Sequence, residues 1–173
     1  MIRSLEVKTV FLLRHGKSER GPEYETDFVR PLTKRGKRDS QQIGEFMKHH
    51  ALIPDLIISS DATRALKTAE GAASFMKYRG TIQLKNDLYS GGAESYRVSI
   101  ETLDNTINSV MLVGHNPSLE EVVEYLSGNT VVITTAALVR IDMTIPTWNS
   151  LTMGEGNITL VIKPKGLAPT NNT

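Results

Sequence analysis

The chain has 173 residues, of which 20 are lysine or arginine and 19 aspartate or glutamate, and it contains no cysteine. The formal net charge of +1 creates no long-range field, so we expect neither nucleic acid nor a membrane as partner. Without cysteine the chain has no thiolate nucleophile, iron–sulfur cluster or cysteine-bound zinc, and a reducing, cytoplasmic location is expected. The length predicts a single domain over residues 1–165, followed by a frayed tail at 166–173.

The first predicted element is an apolar run at 10–13 that ends on Arg14, His15 and Gly16. No polar residue alternates within the run, which predicts a strand buried on both faces, as in an α/β sheet. The run is too short for a signal-peptide core or a membrane span. Ligands of α/β sheets bind beyond the carboxyl ends of the strands, where Arg14 and His15 lie.

The second region is a polar stretch at 17–31, which predicts an exposed loop. Thr33 follows as the N-cap of an amphipathic helix that ends near His50. Basic residues cluster where the loop meets this helix, and two interpretations stay open: a solvated helix face, or a contact with an acidic or phosphorylated partner. The cluster consists of Arg30, Lys34, Arg35, Lys37 and Arg38.

A second buried strand is predicted at 56–58, and the next helix is expected to begin at Ser60 or Asp61. Arg64 falls in its first turn. Helix side chains lean towards the helix N-terminus, so Arg64 should project over the end of the second strand. A weak strand at 82–84 and another helix, with apolar residues in register as far as Ile107, come next.

A third buried strand at 110–113 ends on His115 and Asn116. Asn116 is expected to cap the following helix with Pro117 in its first position, unless Ser118 takes the capping role. Beyond this helix, β-rich pieces alternate apolar and polar residues, which predicts a more exposed, antiparallel edge pair. The sequence therefore predicts an α/β fold whose sheet is mostly parallel.

The three buried strands all end on reactive side chains. If the strands are parallel, their carboxyl ends share one edge of the sheet, and Arg14, His15, Arg64 and His115 face each other. Two arginines can hold a phosphoryl group, whose charge of about −2 is spread over its oxygens. Neutral histidine is a competent nucleophile near pH 7. We expect His15 to accept the phosphoryl group, and Arg14, Arg64 and His115 to bind it.

Four motifs resemble the signature blocks of the histidine phosphatase superfamily, also called phosphoglycerate mutase-like, and within it the short SixA-type phosphohistidine phosphatases. The resemblance runs from about residue 9 to 128. It implies a three-layer α/β/α sandwich, no metal or cofactor, and catalysis by the two Arg–His pairs already singled out. The motifs are Arg14-His15-Gly16, the stretch 58–65 with Thr68-Ala69-Glu70, Val113-Gly114-His115-Asn116-Pro117, and Arg30-Pro31-Leu32-Thr33 with Arg35-Gly36.

The chain differs from the larger branches of this family because it lacks an acidic residue at either position where those branches have their general acid. The acid phosphatase branch has an aspartate directly after the second histidine, where this chain has Asn116, and the acidic motif of the mutases is missing near Tyr89. Glu94 is the nearest candidate acid by position, and Ser18 and Asn116 are candidate substrate contacts. A phosphohistidine substrate has less need of a strong acid, because its P–N bond is labile.

Three functions remain open from the sequence. The expected one is a metal-independent phosphatase that hydrolyses phosphohistidine on a protein through a covalent intermediate on His15. The alternatives are a small-molecule phosphomonoesterase or mutase-type transferase acting on a small phosphate ester, and a weakly catalytic module that binds phosphorylated ligands. About twenty residues separate Leu88 from the third strand, too few for the lid that the resemblance implies for mutases.

Overall fold

A computed structural model describes residues 6–167, and within this range six strands form one sheet with the order β3-β2-β4-β1-β5-β6. The strands are β1 (Glu6–Arg14), β2 (Leu56–Ser59), β3 (Ile82–Leu84), β4 (Ser109–Gly114), β5 (Leu138–Ile145) and β6 (Asn157–Ile162). The helices are α1 (Lys34–His49), α2 (Thr63–Met76), α3 (Asp87–Ser90), α4 (Gly92–Glu101) and α5 (Ser118–Ser127), and short 3₁₀ turns lie at Asp27–Val29, Trp148–Ser150 and Pro164–Gly166.

The sheet is parallel through β3, β2, β4 and β1, and antiparallel at β5 and β6. Arg14 pairs with Gly114 across β1 and β4, and Ser59 pairs with Val113 across β2 and β4. The carboxyl ends of the three buried strands therefore meet at the same edge, as predicted. The antiparallel pair is also confirmed, but β5 is mostly buried because it lies between β1 and β6. Of this pair, β6 is the edge strand.

Each face of the sheet carries its own apolar core, which makes the fold a three-layer α/β/α sandwich. Val10 and Leu12 pack on one face with α4 and α5, whereas Phe11 and Leu13 pack on the other with α1 and α2. Successive strand side chains point to opposite faces, so a fully apolar run is what a doubly covered strand requires. The expected fold class is confirmed.

The helix starts at α2 and α5 differ from the sequence expectation, whereas the start of α1 agrees with it. Thr33 caps α1 as predicted, since its hydroxyl accepts from the Gly36 N–H at 3.0 Å. Helix α2 begins at Thr63 and not at Ser60 or Asp61; its N-cap is Ala62, and no side chain caps it. Helix α5 begins at Ser118, and the Asn116 side chain does not cap it.

Two further expectations concern the ends of elements. Helix α4 stops at Glu101, so Ile107 lies beyond it, although its side chain still packs against the core. The predicted frayed tail falls mostly on residues 168–173, which lie outside the described range. Of its first two residues, Gly166 closes a 3₁₀ turn and Leu167 packs against the α1–α2 core. Between residues 6 and 167, no helix has the length and apolar character to cross a membrane.

Candidate active site

A cavity of about 210 Å³ opens where the carboxyl ends of β1 and β4 meet the first turn of α2. It brings together the four side chains predicted from the strand ends, which we call the inner group: Arg14, His15, Arg64 and His115. The two imidazole ring centres lie 5.1 Å apart. The cavity is lined by Arg14, His15, Lys17, Ser18, Arg20, Arg30, Arg64, His115, Asn116 and Thr135.

The imidazole ring of His15 is oriented by a hydrogen bond at one nitrogen, and its other nitrogen faces an arginine. Its Nδ1 lies 2.8 Å from the carbonyl of Gly16, which can only accept, so Nδ1 carries the proton and Nε2 the lone pair. Arg64 Nε donates towards Nε2 at 3.3 Å. Burial lowers the pKa of His15; the hydrogen bond to the Gly16 carbonyl opposes this, and the charges of Arg64 and Arg14 add to it. The resulting pKa is about 4, so the ring is neutral at pH 7.

Gly16 is required by the close approach of the first loop to α1. A Cβ on Gly16 would lie 2.8 Å from the carbonyl oxygen of Gly36. The Gly16 N–H donates to Thr68 Oγ1 at 2.9 Å, and the same hydroxyl donates to the Arg64 carbonyl at 2.7 Å. Thr68 therefore ties the end of β1 to the turn of α2 that carries Arg64.

His115 is fixed by two hydroxyl groups from different elements. Its backbone N–H donates to the Tyr96 hydroxyl at 3.1 Å, and its Nε2 lies 2.9 Å from Ser60 Oγ. Ser60 Oγ also accepts from the Ala62 N–H at 3.2 Å, which leaves its own proton free to be donated to Nε2. His115 Nδ1 is buried and has no partner among the described residues. Burial, followed by the nearby His15 and Arg64, lowers the pKa of His115 to about 3.

Arg14 is anchored to the segment that precedes β5. Its Nη1 donates to the Ile133 carbonyl at 2.8 Å, while its buried Nε has no partner within the described part of the chain. Asn116 Nδ2 donates to the same carbonyl at 2.9 Å and to Glu120 Oε1 at 2.8 Å. Glu120 also accepts from the Ile133 N–H at 2.8 Å, so α5 holds the carbonyl that orients Arg14.

Arg64 is the most extensively bonded member of the inner group. Its Nη1 donates to the Asp27 carbonyl at 2.7 Å and its Nη2 to Asp27 Oδ2 at 2.8 Å, while Nε points at His15. The Asp27 carboxylate also pairs with Arg30 Nη2 at 2.7 Å and accepts from the Tyr89 hydroxyl at 3.1 Å. Burial alone would raise the pKa of Asp27, but the charge and hydrogen bonds of Arg64 outweigh it and hold that pKa below the ordinary value.

Sequence reasoning missed Asp27 as a site residue, and it placed Arg30 only in a basic cluster with two open interpretations. The signal available was the i,i+3 spacing of Asp27 and Arg30 inside the polar loop, directly before the Arg30-Pro31-Leu32-Thr33 block. Neither residue lies at a strand end, so the rule that located the inner group could not find them. Lys17, Arg20 and Thr135 are further lining residues that were not predicted.

The three secondary candidates have different outcomes. Ser18 and Asn116 line the cavity, in line with a role as substrate contacts. Glu94 does not line it: its carboxylate pairs with Arg97 in the exposed first turn of α4. The hydrogen bond from Arg97 lowers the pKa of Glu94, which is the wrong direction for a general acid. The candidate general acid is therefore corrected, because local helix pairing fixes Glu94 away from the cavity.

The cavity wall contains no carboxylate among the described residues. Within residues 6–167 there is also no group of three or more histidines and acids placed to hold a metal ion. What the wall offers is positive charge, two neutral imidazoles, and buried N–H donors. Such a wall has the chemistry to hold a tetrahedral anion by charge-assisted hydrogen bonds.

The fold and the site define an α/β protein with a positively charged pocket of arginines and histidines at the strand ends. The family model of the histidine phosphatase superfamily (branch 1) matches residues 10–89. An uncharacterized chloroplastic protein of Arabidopsis thaliana is 30% identical, over 77% of this chain and 66% of its own length. This chain thus spans just under two thirds of that relative.

Solved structures match over most of the chain. The protein histidine phosphatase SixA in complex with tungstate superposes with a TM-score of 0.80 at 23% identity, covering 91% of this chain and 98% of that one. A protein of Agrobacterium tumefaciens assigned as a SixA phosphohistidine phosphatase gives 0.78 at 26% identity, with coverage of 91% and 98%. Over residues 10–89 the chain is similar to the histidine phosphatase superfamily, and its fold is that of the SixA structures.

Proposed function

We propose that this protein is a metal-independent phosphatase that removes the phosphoryl group from phosphohistidine on a protein, through a covalent intermediate on His15. One observation carries the proposal. The unprotonated Nε2 of His15 faces Arg64 Nε at 3.3 Å inside a pocket lined by five cationic side chains. This arrangement supports the proposal, because it would position a nucleophile and its anion-binding groups before substrate arrives.

The phosphoryl group would be bound by the donors that the protein leaves unpaired. Arg14 Nε has no partner within residues 6–167, and Arg64 Nε faces the nucleophile. With Ser60 donating to Nε2 of His115, the Nδ1–H of that ring is left to donate to a phosphoryl oxygen. Tungstate, a tetrahedral dianion of phosphate-like shape, occupies the solved SixA complex, which supports an oxyanion site in this fold.

The reaction then proceeds in two displacements. His15 Nε2 attacks phosphorus in line, the new P–Nε2 bond forms, and the P–N bond to the substrate imidazole breaks, with a proton going to the leaving nitrogen. Water next attacks the phosphoryl group, which releases inorganic phosphate and returns the lone pair to Nε2. Because the pKa of His15 lies near 4, the nucleophile needs no base to become neutral at pH 7.

The absence of a carboxyl group from the described cavity wall supports phosphohistidine over phosphate esters as substrate. An alkoxide leaving group needs a positioned general acid, whereas imidazole needs only one proton that water or the substrate's own ring can supply. Asp27 does not fill the role, because two arginines keep its carboxylate ionised. The expected cytoplasmic location and the expected lack of nucleic-acid and membrane partners stay predictions.

Rapid-quench trapping tests the proposal. The protein is mixed with phosphohistidine-bearing peptide labelled with ³²P, and we expect an acid-labile phosphoenzyme that appears in a burst and then turns over. His15→Ala should give no phosphoenzyme, and His49→Ala, which removes an exposed imidazole at the end of α1, should behave like the wild type.

Two results would contradict it. Equal turnover of a phosphoramidate and an alkyl phosphate would favour a phosphomonoesterase or transferase. Binding of phosphate without any phosphoenzyme or turnover would make the protein a binding module.

A further inference from the structure

The cavity wall carries more positive charge than a bound phosphoryl group would neutralise. Five cationic side chains line the wall: Arg14, Lys17, Arg20, Arg30 and Arg64. Asp27 neutralises one charge through Arg30 and Arg64, and a phosphoryl group brings about two negative charges. Roughly two positive charges are left over by this count.

The surplus lies on Lys17 and Arg20. Both side chains are exposed, line the cavity, and make no hydrogen bond or ion pair with any residue between 6 and 167. Arg30, by contrast, pairs with Asp27 and donates to the Glu19 carbonyl at 3.3 Å. The acids of the same loop, Glu19, Glu23 and Glu25, do not line the cavity.

From this arrangement we infer that Lys17 and Arg20 bind a second anionic group of the substrate, adjacent to the phosphoryl group. The inference rests on the proposed function and deepens it by naming the substrate class. Lys17 follows His15 by two residues, so the second anion would lie just outside the phosphoryl site. Cations that line a concave wall attract anions more strongly than cations on a flat surface, because low-dielectric walls focus the field.

Two sources can supply this second anion. One is a carboxylate that flanks phosphohistidine in a protein. The other is a second phosphate group on a small molecule. The chemistry recognised is the same in both, namely a phosphoryl group with a second anionic group close by, and the experiment separates the sources.

The experiment uses two histidine peptides phosphorylated with potassium phosphoramidate, one with aspartates flanking the histidine and one with asparagines. We expect kcat/KM to be about fivefold higher for the aspartate peptide, the upper end of what an exposed charge pair gives. This ratio of the two kcat/KM values should fall with added salt. The double variant Lys17→Gln/Arg20→Gln should bring the ratio to about one by losing that pairing. A second arm compares a bisphosphate with the matching monophosphate.

The matched control is Lys34→Gln/Arg38→Gln, which removes the same charge from exposed positions of α1 that do not line the cavity. It should keep the wild-type ratio. Two results would overturn the inference. One is a wild-type kcat/KM that does not depend on the second anion in either arm. The other is a loss of the aspartate preference in Lys34→Gln/Arg38→Gln as large as that in Lys17→Gln/Arg20→Gln. A preference in the bisphosphate arm alone supports the second-anion site and identifies a small molecule as its source. Turnover of the asparagine peptide tests the proposed function separately, since that peptide has no second anion.

Discussion

The inner group and the 17–31 loop supply the two sides of one cavity, but they are built in opposite ways. His15 and His115 are each 8% exposed, Arg64 is 5% exposed, and their contacts run to carbonyls, hydroxyls and helix turns next to the sheet. The loop presents Lys17, Arg20 and Asp27, all exposed. Asp27 connects the two regions through both terminal nitrogens of Arg64.

The difference separates two tasks. Groups that stabilise the charge developing on the phosphoryl group must be oriented before the reaction begins, because reorienting them in the transition state would raise the activation barrier. Groups that select a substrate can lie at the surface, where exposed charges act weakly and are screened by salt. Substitutions in the inner group should therefore lower kcat steeply, and those in the loop should act mainly through KM. Asp27 is the exception, because it positions Arg64 from the loop.

The largest effect beyond loss of His15 is expected at Arg64. Arg64→Lys keeps the charge but loses the Nε donor beside His15 Nε2 and the paired nitrogens that Asp27 holds. We expect kcat/KM for a phosphohistidine peptide to fall by about 100-fold or more. Arg79→Lys, at an exposed position before β3, is the control. Wild-type activity in Arg64→Lys would show that charge alone suffices and that the inner group is not preorganised.

An intermediate effect is expected at Asp27. Asp27→Asn keeps the shape but removes the charge that orients Arg64 and Arg30, so we expect kcat to fall by about tenfold, the size of one lost charge-assisted hydrogen bond. Inhibition by inorganic phosphate should be unchanged or tighter, since the pocket becomes more positive. Glu25→Gln, an exposed acid of the same loop, should alter neither quantity. A weaker phosphate affinity with unchanged kcat would place Asp27 with the selecting residues instead.

Stability should also depend on pH, and this dependence reports the burial of the two imidazoles. The pKa of His15 is lowered to about 4 and that of His115 to about 3, mainly by burial, while unfolded histidine titrates near pH 6.5. Between about pH 6.5 and 4 the unfolded chain therefore binds protons that the folded chain does not. The resulting stability is complete above pH 6.5 and is lost as the pH falls, by up to about 1.4 kcal/mol per pH unit for each histidine.

Urea unfolding at pH 7.0, 6.0 and 5.0 checks this sign. As the pH is lowered, we expect the free energy of unfolding to fall more steeply for the wild type than for His15→Asn/His115→Asn, because the variant lacks both titrating imidazole rings. Carboxylates contribute equally to both proteins, so the comparison removes their effect. Parallel pH profiles would show that the rings are hydrated in the folded state.

The inner-group residues could be predicted because each is identified by a pattern within a short stretch of sequence. Apolar runs that end abruptly on Arg14, His15 and His115 report both burial and strand ends, and the strand-end rule then places them on one edge. Arg64 followed from its place in the first turn of a patterned helix. The loop residue Asp27 gave no such signal, since its partner Arg64 lies 37 residues away in the chain.

By itself, the sequence determined the α/β class, the three buried strands and the four side chains of the inner group, because periodicity and strand termination are properties of neighbouring residues. Only the tertiary structure decided that Asp27 and not Glu94 approaches the site, and that Gly16 and Ser60 fix the ring protons of the two histidines. These outcomes depend on how loops and helices pack across the edge of the sheet, and a hydrogen bond of about 3 Å is set by that packing and not by any local pattern.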